Sequence, residues 1–186
     1  WFGTRDGLNK FDGYTFTVYK NNPSDTNSIT NNIINDIVED KQGHLWIATW
    51  GGGLNRLNRE SEKFEHYTHD NKRPASLASN LINTLLLDNK GTLWVGTEDA
   101  GLDAYSRQNE FEHFAHDPLL KGSISHSSVK DILEDSKHNL WIGTNERGLN
   151  LFDSRTRSFK HFFHNDNQPH SLSSNAVKVI FEDSHR

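Results

Sequence analysis

Histidine pairs spaced three positions apart recur along the chain, and they are the residues best suited to bind a metal ion. The pairs are His66 and His69, His113 and His116, and His161 and His164, and aspartates follow them at Asp70, Asp117 and Asp166. Histidine is the commonest metal ligand in proteins. On a β-strand, however, side chains three positions apart point to opposite faces. We therefore predict a solvated outer strand, no metal site and no cofactor.

Catalytic motifs are absent from the sequence. The chain contains no cysteine, so it has neither a thiolate nucleophile nor a disulfide framework. It also lacks a Gly-x-Ser-x-Gly elbow and a His-Glu-x-x-His motif,. Its acidic residues occupy positions that repeat along the chain, whereas an enzyme would place one unusual set in a single unit. These observations predict that the chain itself is not an enzyme.

A second set of candidate residues lies in the turns that follow Thr4, Thr49, Thr97 and Thr144. These residues are Arg5, Asp6, Trp50, Glu98, Asp99, Asn145, Glu146 and Arg147. Trp50 interrupts the polar character of the turns, and an aromatic plane at a rim can stack on a sugar. Acids, arginine and asparagine can hydrogen-bond hydroxyl groups. We predict a site for a small molecule, with a glycan as one candidate. The alternative is a polar loop in which Trp50 packs on the adjacent unit.

A recurring phrase, Leu-Trp-Ile-Gly-Thr or a close variant of it, positions these turns. Its tryptophans are Trp1, Trp46, Trp94 and Trp141, which lie 45, 48 and 47 residues apart. A Gly-Leu pair follows each phrase and contributes Gly53, Gly101 and Gly148 in the three complete units. A fixed period in this range is the mark of a repeat architecture. We predict that these tryptophans and glycines are structural, because a function that needs one site would not need every copy.

Each unit contains short apolar runs separated by turn residues. In the unit that begins at Ser76, the runs cover residues 81–87, 93–97, 102–105 and 111–115. Such runs are too short for helices and are typical of strands. No helix pattern with caps occurs. We therefore predict an all-β fold, a β-propeller built of four-stranded antiparallel blades.

The predicted blades cover residues 28–75, 76–122 and 123–170, and residues 171–186 would complete a partial blade at 1–27. The first strand of each blade should line the central channel, the tryptophan strand should lie between neighbouring blades, and the phenylalanine strand should be outermost. A first strand is also predicted at residues 176–181, paired with the N-terminal partial blade. A ring that closes alone, two copies that share one ring, and a segment of a larger ring are all consistent with the repeats.

Composition narrows the class of protein. The chain has 186 residues and a formal net charge of −5, and its lysines and arginines are scattered, which argues against a nucleic-acid surface. Aromatic residues make up 11% of the chain, and large rings bury much area per residue. The sequence begins in mid-repeat, so we expect a piece of a longer protein.

The units resemble the two-component regulator propeller repeat. The resemblance rests on Val38-Glu39-Asp40 with Gly43 and residues 45–49, on Asp88 with Gly91 and residues 93–97, and on Glu134-Asp135 with residues 140–144. The departures are Ala48 in place of the usual glycine, His138 or Asn139 in place of a turn glycine, and Leu87 in place of an acidic residue.

This resemblance implies a role in signalling. Members of the family form the periplasmic sensing region of bacterial transmembrane proteins, similar to hybrid histidine kinases or to proteins with diguanylate cyclase domains, and some sense carbohydrates. The resemblance implies a periplasmic, non-catalytic sensing or relay segment whose partners are a small molecule and the rest of the sensor. The alternatives are a propeller enzyme that resembles streptogramin lyase and a scaffold that oligomerises through its open blade edges.

Overall fold

The structure is a computed structural model that describes residues 1–105 and 110–183. Within these ranges, fifteen strands form four antiparallel sheets, which we number as blades 1 to 4 in chain order. Consecutive strands of each blade pair with one another, so every blade is a meander. The same ranges contain no helix that is long and apolar enough to cross a membrane.

Blade 1 has three strands and blades 2 to 4 have four each. Blade 1 consists of β1 (Phe2–Thr4), β2 (Gly7–Phe11) and β3 (Phe16–Tyr19). Blade 2 consists of β4 (Ile34–Glu39), β5 (Leu45–Thr49), β6 (Leu54–Asn58) and β7 (Lys63–Tyr67). Blade 3 consists of β8 (Ile82–Leu87), β9 (Leu93–Thr97), β10 (Leu102–Tyr105) and β11 (Phe111–Phe114). Blade 4 consists of β12 (Val129–Glu134), β13 (Leu140–Thr144), β14 (Leu149–Asp153) and β15 (Ser158–Phe162). The predicted all-β fold of antiparallel meanders is confirmed.

The predicted strand at residues 176–181 is not formed. This segment has no strand assignment, and it touches blade 4 through single hydrogen bonds, from Val177 N to Thr144 O at 2.9 Å and from Ile180 N to Asp131 Oδ2 at 2.6 Å. In the described part of the chain, β1 pairs only with β2. The strand prediction is wrong because apolar pattern alone does not supply a partner strand for a ladder. The predicted blade boundaries stay predictions.

The hydrophobic core lies between the blades. Trp46 of blade 2 is 3% exposed and clusters with Leu77, Ile82 and Phe111 of the following unit. Trp94 of blade 3 clusters in the same way with residues of blade 4. Each interior tryptophan therefore joins two sheets, which supports the structural role predicted for it.

The two outer tryptophans are half-buried. Trp1 packs against the cluster that contains Leu45 and Ile47, and the ring of Trp141 lies 5.6 Å from that of Phe162. Both rings are thus less enclosed than Trp46 and Trp94.

A turn aspartate holds the indole in each of blades 2 to 4. The Nε1 atoms of Trp46, Trp94 and Trp141 donate to Asp40, Asp88 and Asp135 at 3.0, 2.9 and 2.8 Å. The same aspartates accept main-chain N–H groups of the turn between the first two strands. Burial raises the pKa of Asp135, but hydrogen bonds from Trp141 and Asn139 outweigh it and lower this pKa to about 2. The aspartates therefore fix the turn to the core between the blades.

Three glycines make the tight turn after the tryptophan strand. Gly53, Gly101 and Gly148 have φ angles of 75°, 91° and 73°, a region that glycine enters without steric cost. A Cβ at each position would overlap a main-chain carbonyl oxygen of the outermost strand. Both observations support the structural role predicted for these glycines.

Candidate functional site

A cavity of about 680 Å³ opens on the inner side of the blades. Its wall is formed by Ile33 and by residues at two repeated positions. The first is the position directly after the threonine of the recurring phrase. It contributes Arg5, Trp50 and Asn145. The second is one residue of the innermost segment of each unit, which contributes Asn35, Asn83, Lys130 and Lys178. The repeat therefore places variable residues from every unit on one surface.

β-Bulges aim the inner residues into this cavity. In β4 the ladder pairs Ile34 and then Asp36 with β5 and skips Asn35. The ladders of β8 and β12 skip Asn83 and Lys130 in the same way. The extra residue of a bulge is left unpaired and its side chain is redirected, which is why bulges are common beside binding sites. The repeat pattern did not predict these residues as part of a site. The signal available was a polar residue that follows the first apolar residue of each inner strand.

The predicted turn residues are only partly brought together. Arg5, Trp50 and Asn145 line the cavity, and Glu98 lies beside it, bonded to Asn83 and Lys130. The other four are not part of the wall. Asp6 pairs with Lys20 at 2.6 Å, Asp99 is exposed, Glu146 lies 4.0 Å from His126, and the main-chain carbonyl of Arg147 accepts a hydrogen bond from Ser125.

Trp50 combines a fixed main chain with an accessible ring. Its N–H donates to the carbonyl of Ile33 at 3.0 Å, and the N–H groups of Gly51 and Gly53 both donate to the carbonyl of Asn80. The turn is thus tied to the following unit through its backbone. The residue is 37% exposed and its side chain lines the cavity, so the indole offers an apolar face there.

Glu98 is held in a network at the edge of the cavity. Its Oε2 atom accepts hydrogen bonds from Asn83 at 2.7 Å, from Ser128 at 2.9 Å and from Lys130. Burial raises the pKa of Glu98, but the hydrogen bonds from Lys130, Asn83 and Ser128 outweigh it and lower this pKa below its ordinary value. Glu98 is therefore ionised and neutralises Lys130.

Polar side chains of the inner strands also join neighbouring units. The amide groups of Asn35 and Asn83 donate to the carbonyls of Ile82 and Val129 at 2.7 and 2.8 Å. Asp36 accepts the N–H of Leu85 at 2.7 Å, and burial raises the pKa of this carboxyl. The cavity wall is consequently cross-linked between blades, so its shape is preorganised.

The histidine pairs tie outer strands to loops. The Nε2 atoms of His66, His113 and His161 lie 2.8 Å from the carbonyl oxygens of Ser28, Pro74 and Ser123. The Nδ1 atoms of His69, His116 and His164 contact the carbonyls of Leu77, Ile124 and Leu172. Within residues 1–105 and 110–183, no three His, Asp or Glu side chains come together in a group that could hold a metal ion.

One histidine also faces a buried acid. Asn55, Asp103 and Asn150 occupy equivalent positions opposite His66, His113 and His161. Only in blade 3 is this residue an aspartate, and Asp103 is 0% exposed. Its carboxylate lies 2.7 Å from His113 Nδ1 and accepts the N–H of Ala78 at 2.8 Å. The hydrogen bond with Asp103 is the main cause that raises the pKa of His113.

This pair predicts a pH-dependent stability. A raised pKa in the folded state means that the contribution of protonated His113 is fully present below its unfolded pKa of about 6.5 and is lost as pH rises through the folded value. Urea unfolding followed by tryptophan fluorescence should therefore show a lower midpoint at pH 9 than at pH 6.

The matched control for this prediction is the double variant Ala78→Ser with Asp103→Asn, which copies the Ser125 and Asn150 pair of blade 4. The double variant should show a smaller difference between the two pH values. An equal difference in both proteins would mean that another group is responsible.

Comparison with known proteins agrees with this architecture. Residues 28–51, 76–99 and 123–146 match the model of the two component regulator propeller family. A stretch of 30 residues is 70% identical to Histidine kinase P4 of Formosa agariphila, over 16% of this chain and 2% of that protein.

Solved structures with the same fold include two extracellular domains from Bacteroides thetaiotaomicron, both assigned to hybrid two component systems. The BT3049 domain is 26% identical over 99% of this chain and 36% of its own, with a TM-score of 0.64. The BT4673 domain is 24% identical over 98% of this chain and 23% of its own, with a TM-score of 0.77.

Virginiamycin B lyase of Staphylococcus aureus is 15% identical over 85% of this chain and 48% of its own, with a TM-score of 0.59, and shares the fold alone. The chain thus spans less than half the length of each of these structures. Its recurring phrase and its meander sheets agree with this comparison: three segments of the chain match the two component regulator propeller model.

Proposed function

We propose that the chain is part of the periplasmic sensing region of a bacterial two component signalling protein, and that its inner cavity binds a carbohydrate without chemical reaction. The observation that carries this proposal is the contrast between two kinds of repeated position. Tryptophan, glycine and aspartate recur unchanged where the blades pack, whereas the cavity wall combines Arg5, Trp50 and Asn145 at a single repeat position. Different side chains at one repeat position that faces a cavity are suited to recognition.

The cavity has the size and chemistry of a ligand site. Its volume of about 680 Å³ lies within the roughly 300–1,000 Å³ that is typical of small-molecule pockets. Trp50 provides an amphipathic aromatic face, and Asn35 and Asn145 provide amide groups that can donate to and accept from hydroxyls. A sugar ring presents an apolar face and a set of hydroxyls, so it matches both.

Binding without catalysis is supported by the state of the acid beside the cavity. Glu98 already accepts hydrogen bonds from Asn83, Ser128 and Lys130, and its lowered pKa makes it a poor general base. The similarity to extracellular domains of hybrid two component systems supports the signalling role. The rest of the sensor protein is the second proposed partner. Association of copies through blade edges stays a prediction that a mass measurement in solution would test.

A glycan panel tests this proposal. We expect Trp50→Ala to weaken binding of the glycan that the parent binds by about two- to twelvefold, because an aromatic ring contact is worth about 0.5–1.5 kcal/mol. Tyr14→Ala is the matched control, since Tyr14 is an aromatic residue that is 94% exposed and lies outside the cavity wall. It should bind as the parent does.

Equal binding by Trp50→Ala and the parent would remove the aromatic platform from the proposal. If the parent bound no glycan on the panel, carbohydrate sensing by this cavity would be refuted. Circular dichroism of each variant would exclude misfolding as the cause of lost binding.

A further inference from the structure

We propose that the cavity selects an anionic saccharide and holds its carboxylate or sulfate group through Arg5 and Lys178. This inference rests on the proposed function and specifies the chemical class of the ligand. It comes from the charges on the cavity wall, and it is independent of which sugar carries the anion.

Positive charge is concentrated in the cavity although the chain as a whole is acidic. Arg5, Lys130 and Lys178 line the wall, in a chain whose formal net charge is −5. Lys130 is neutralised by Glu98. Arg5 and Lys178 have no ion pair with any residue that the structure describes. Two uncompensated cations therefore face the same space.

The nearby carboxylates are engaged elsewhere. Asp6 follows Arg5 in the sequence, but its carboxylate pairs with Lys20 at 2.6 Å. Asp36 and Asp131 lie one position beyond cavity residues, and each accepts a main-chain N–H from the following unit, at 2.7 and 2.6 Å. These three acids are not part of the cavity wall, so they do not supply the missing counter-charges.

The two cations differ in a way that suits an anionic oxygen group. A guanidinium group binds carboxylate or sulfate through two parallel hydrogen bonds, whereas a lysine ammonium acts as a point charge. Charge pairs in a partly enclosed site are also stronger than pairs in bulk water. Trp50 and the side chain of Asn145 line the same cavity and can contact the uncharged part of the ligand, so an acidic sugar suits both parts of the wall.

Isothermal titration calorimetry with three probes tests the inference. The probes are tetragalacturonate, its fully methyl-esterified form and a chondroitin sulfate tetrasaccharide, which separate carboxylate, neutral and sulfate recognition. We expect at least one anionic probe to bind and the ester to bind at least about tenfold more weakly, which corresponds to the loss of one charge-assisted contact.

Single variants test whether the anionic probe binds in the cavity. Arg5→Gln and Lys178→Gln should each weaken binding of the anionic probe about tenfold and reduce its dependence on salt concentration. Lys137→Gln is the matched control, because Lys137 lies exposed in the turn between β12 and β13. It should leave affinity unchanged.

The inference is overturned if the ester binds as tightly as the acid, or if both cavity variants bind the anionic probe like the parent. Binding of a neutral glycan from the panel in the absence of any anionic binding would also overturn it, while the proposed function would stand. If no saccharide of either kind bound, the inference and the proposed function would fail together.

Discussion

Replacement of Trp94 by alanine is expected to destabilise the chain by about 3–5 kcal/mol, the cost of deleting a large buried aromatic side chain. Trp94 is 4% exposed, and its ring lies 5.8 Å from Phe114 of its own blade and 5.2 Å from Phe152 of blade 4. The variant also removes the donor to Asp88. Because the ring joins two sheets, its loss weakens a whole interface between blades. Urea unfolding monitored by circular dichroism measures the effect.

Trp141→Ala is the matched control, because it removes a tryptophan at the same repeat position that is less buried than Trp94. Trp141 stands in the same phrase and makes the same hydrogen bond, to Asp135 at 2.8 Å. It is only half-buried, so its removal should cost clearly less than removal of Trp94. Equal losses in the two variants would show that packing between blades is not what makes the recurring indole important.

The second large effect is expected for Gly101→Ala, which should lower the free energy of unfolding by about 2–5 kcal/mol. Gly101 has a φ angle of 91°, where an L-residue is strained by about 1–2 kcal/mol. A Cβ there would also overlap the carbonyl oxygen of Phe114, and overpacking of this kind costs about 1–3 kcal/mol more. Thermal and urea unfolding would give the change.

Gly91→Ala separates the two causes. Gly91 has a similar φ angle of 83°, but a Cβ added to it would meet no atom within 4 Å. This variant should therefore lose only the stability that corresponds to backbone strain, about 1–2 kcal/mol. If Gly101→Ala were no more destabilising than Gly91→Ala, the close approach of the outermost strand would not constrain this turn.

The sheets could be predicted from the sequence because their determinants are local and repeated. The tryptophan strands begin and end where the phrase does, at Leu45–Thr49, Leu93–Thr97 and Leu140–Thr144. Apolar runs of this length, bounded by glycine turns, leave little choice of secondary structure. The segment at 176–181 carries the same pattern without a ladder partner, so its failure to form a strand reflects a non-local requirement.

The cavity could be predicted only in part. The turn residues Arg5, Trp50 and Asn145 could be predicted because each follows the threonine of the recurring phrase, and Trp50 interrupts the polar character of these turns. The inner residues Asn35, Asn83 and Lys130 were missed, since simple alternation along a strand does not reveal a bulge that redirects one side chain. The histidine pairs are visible in the sequence, but their role could not be predicted from it. Their partners are main-chain carbonyls of distant loops, and a sequence motif does not encode those partners.

Fluorine NMR of the protein labelled with fluorotryptophan tests the central claim most directly, namely that Trp46 and Trp94 are packed between blades and that Trp50 is the tryptophan that faces the cavity. The chain contains five tryptophans, and single tryptophan-to-phenylalanine variants would assign their resonances. On exchange from H2O to D2O, Trp50 should show the largest solvent-isotope shift, Trp1 and Trp141 smaller shifts, and Trp46 and Trp94 almost none. A saccharide that binds should displace the Trp50 resonance most. A large solvent shift for Trp46 or Trp94, or a Trp50 resonance insensitive to solvent, would contradict the account.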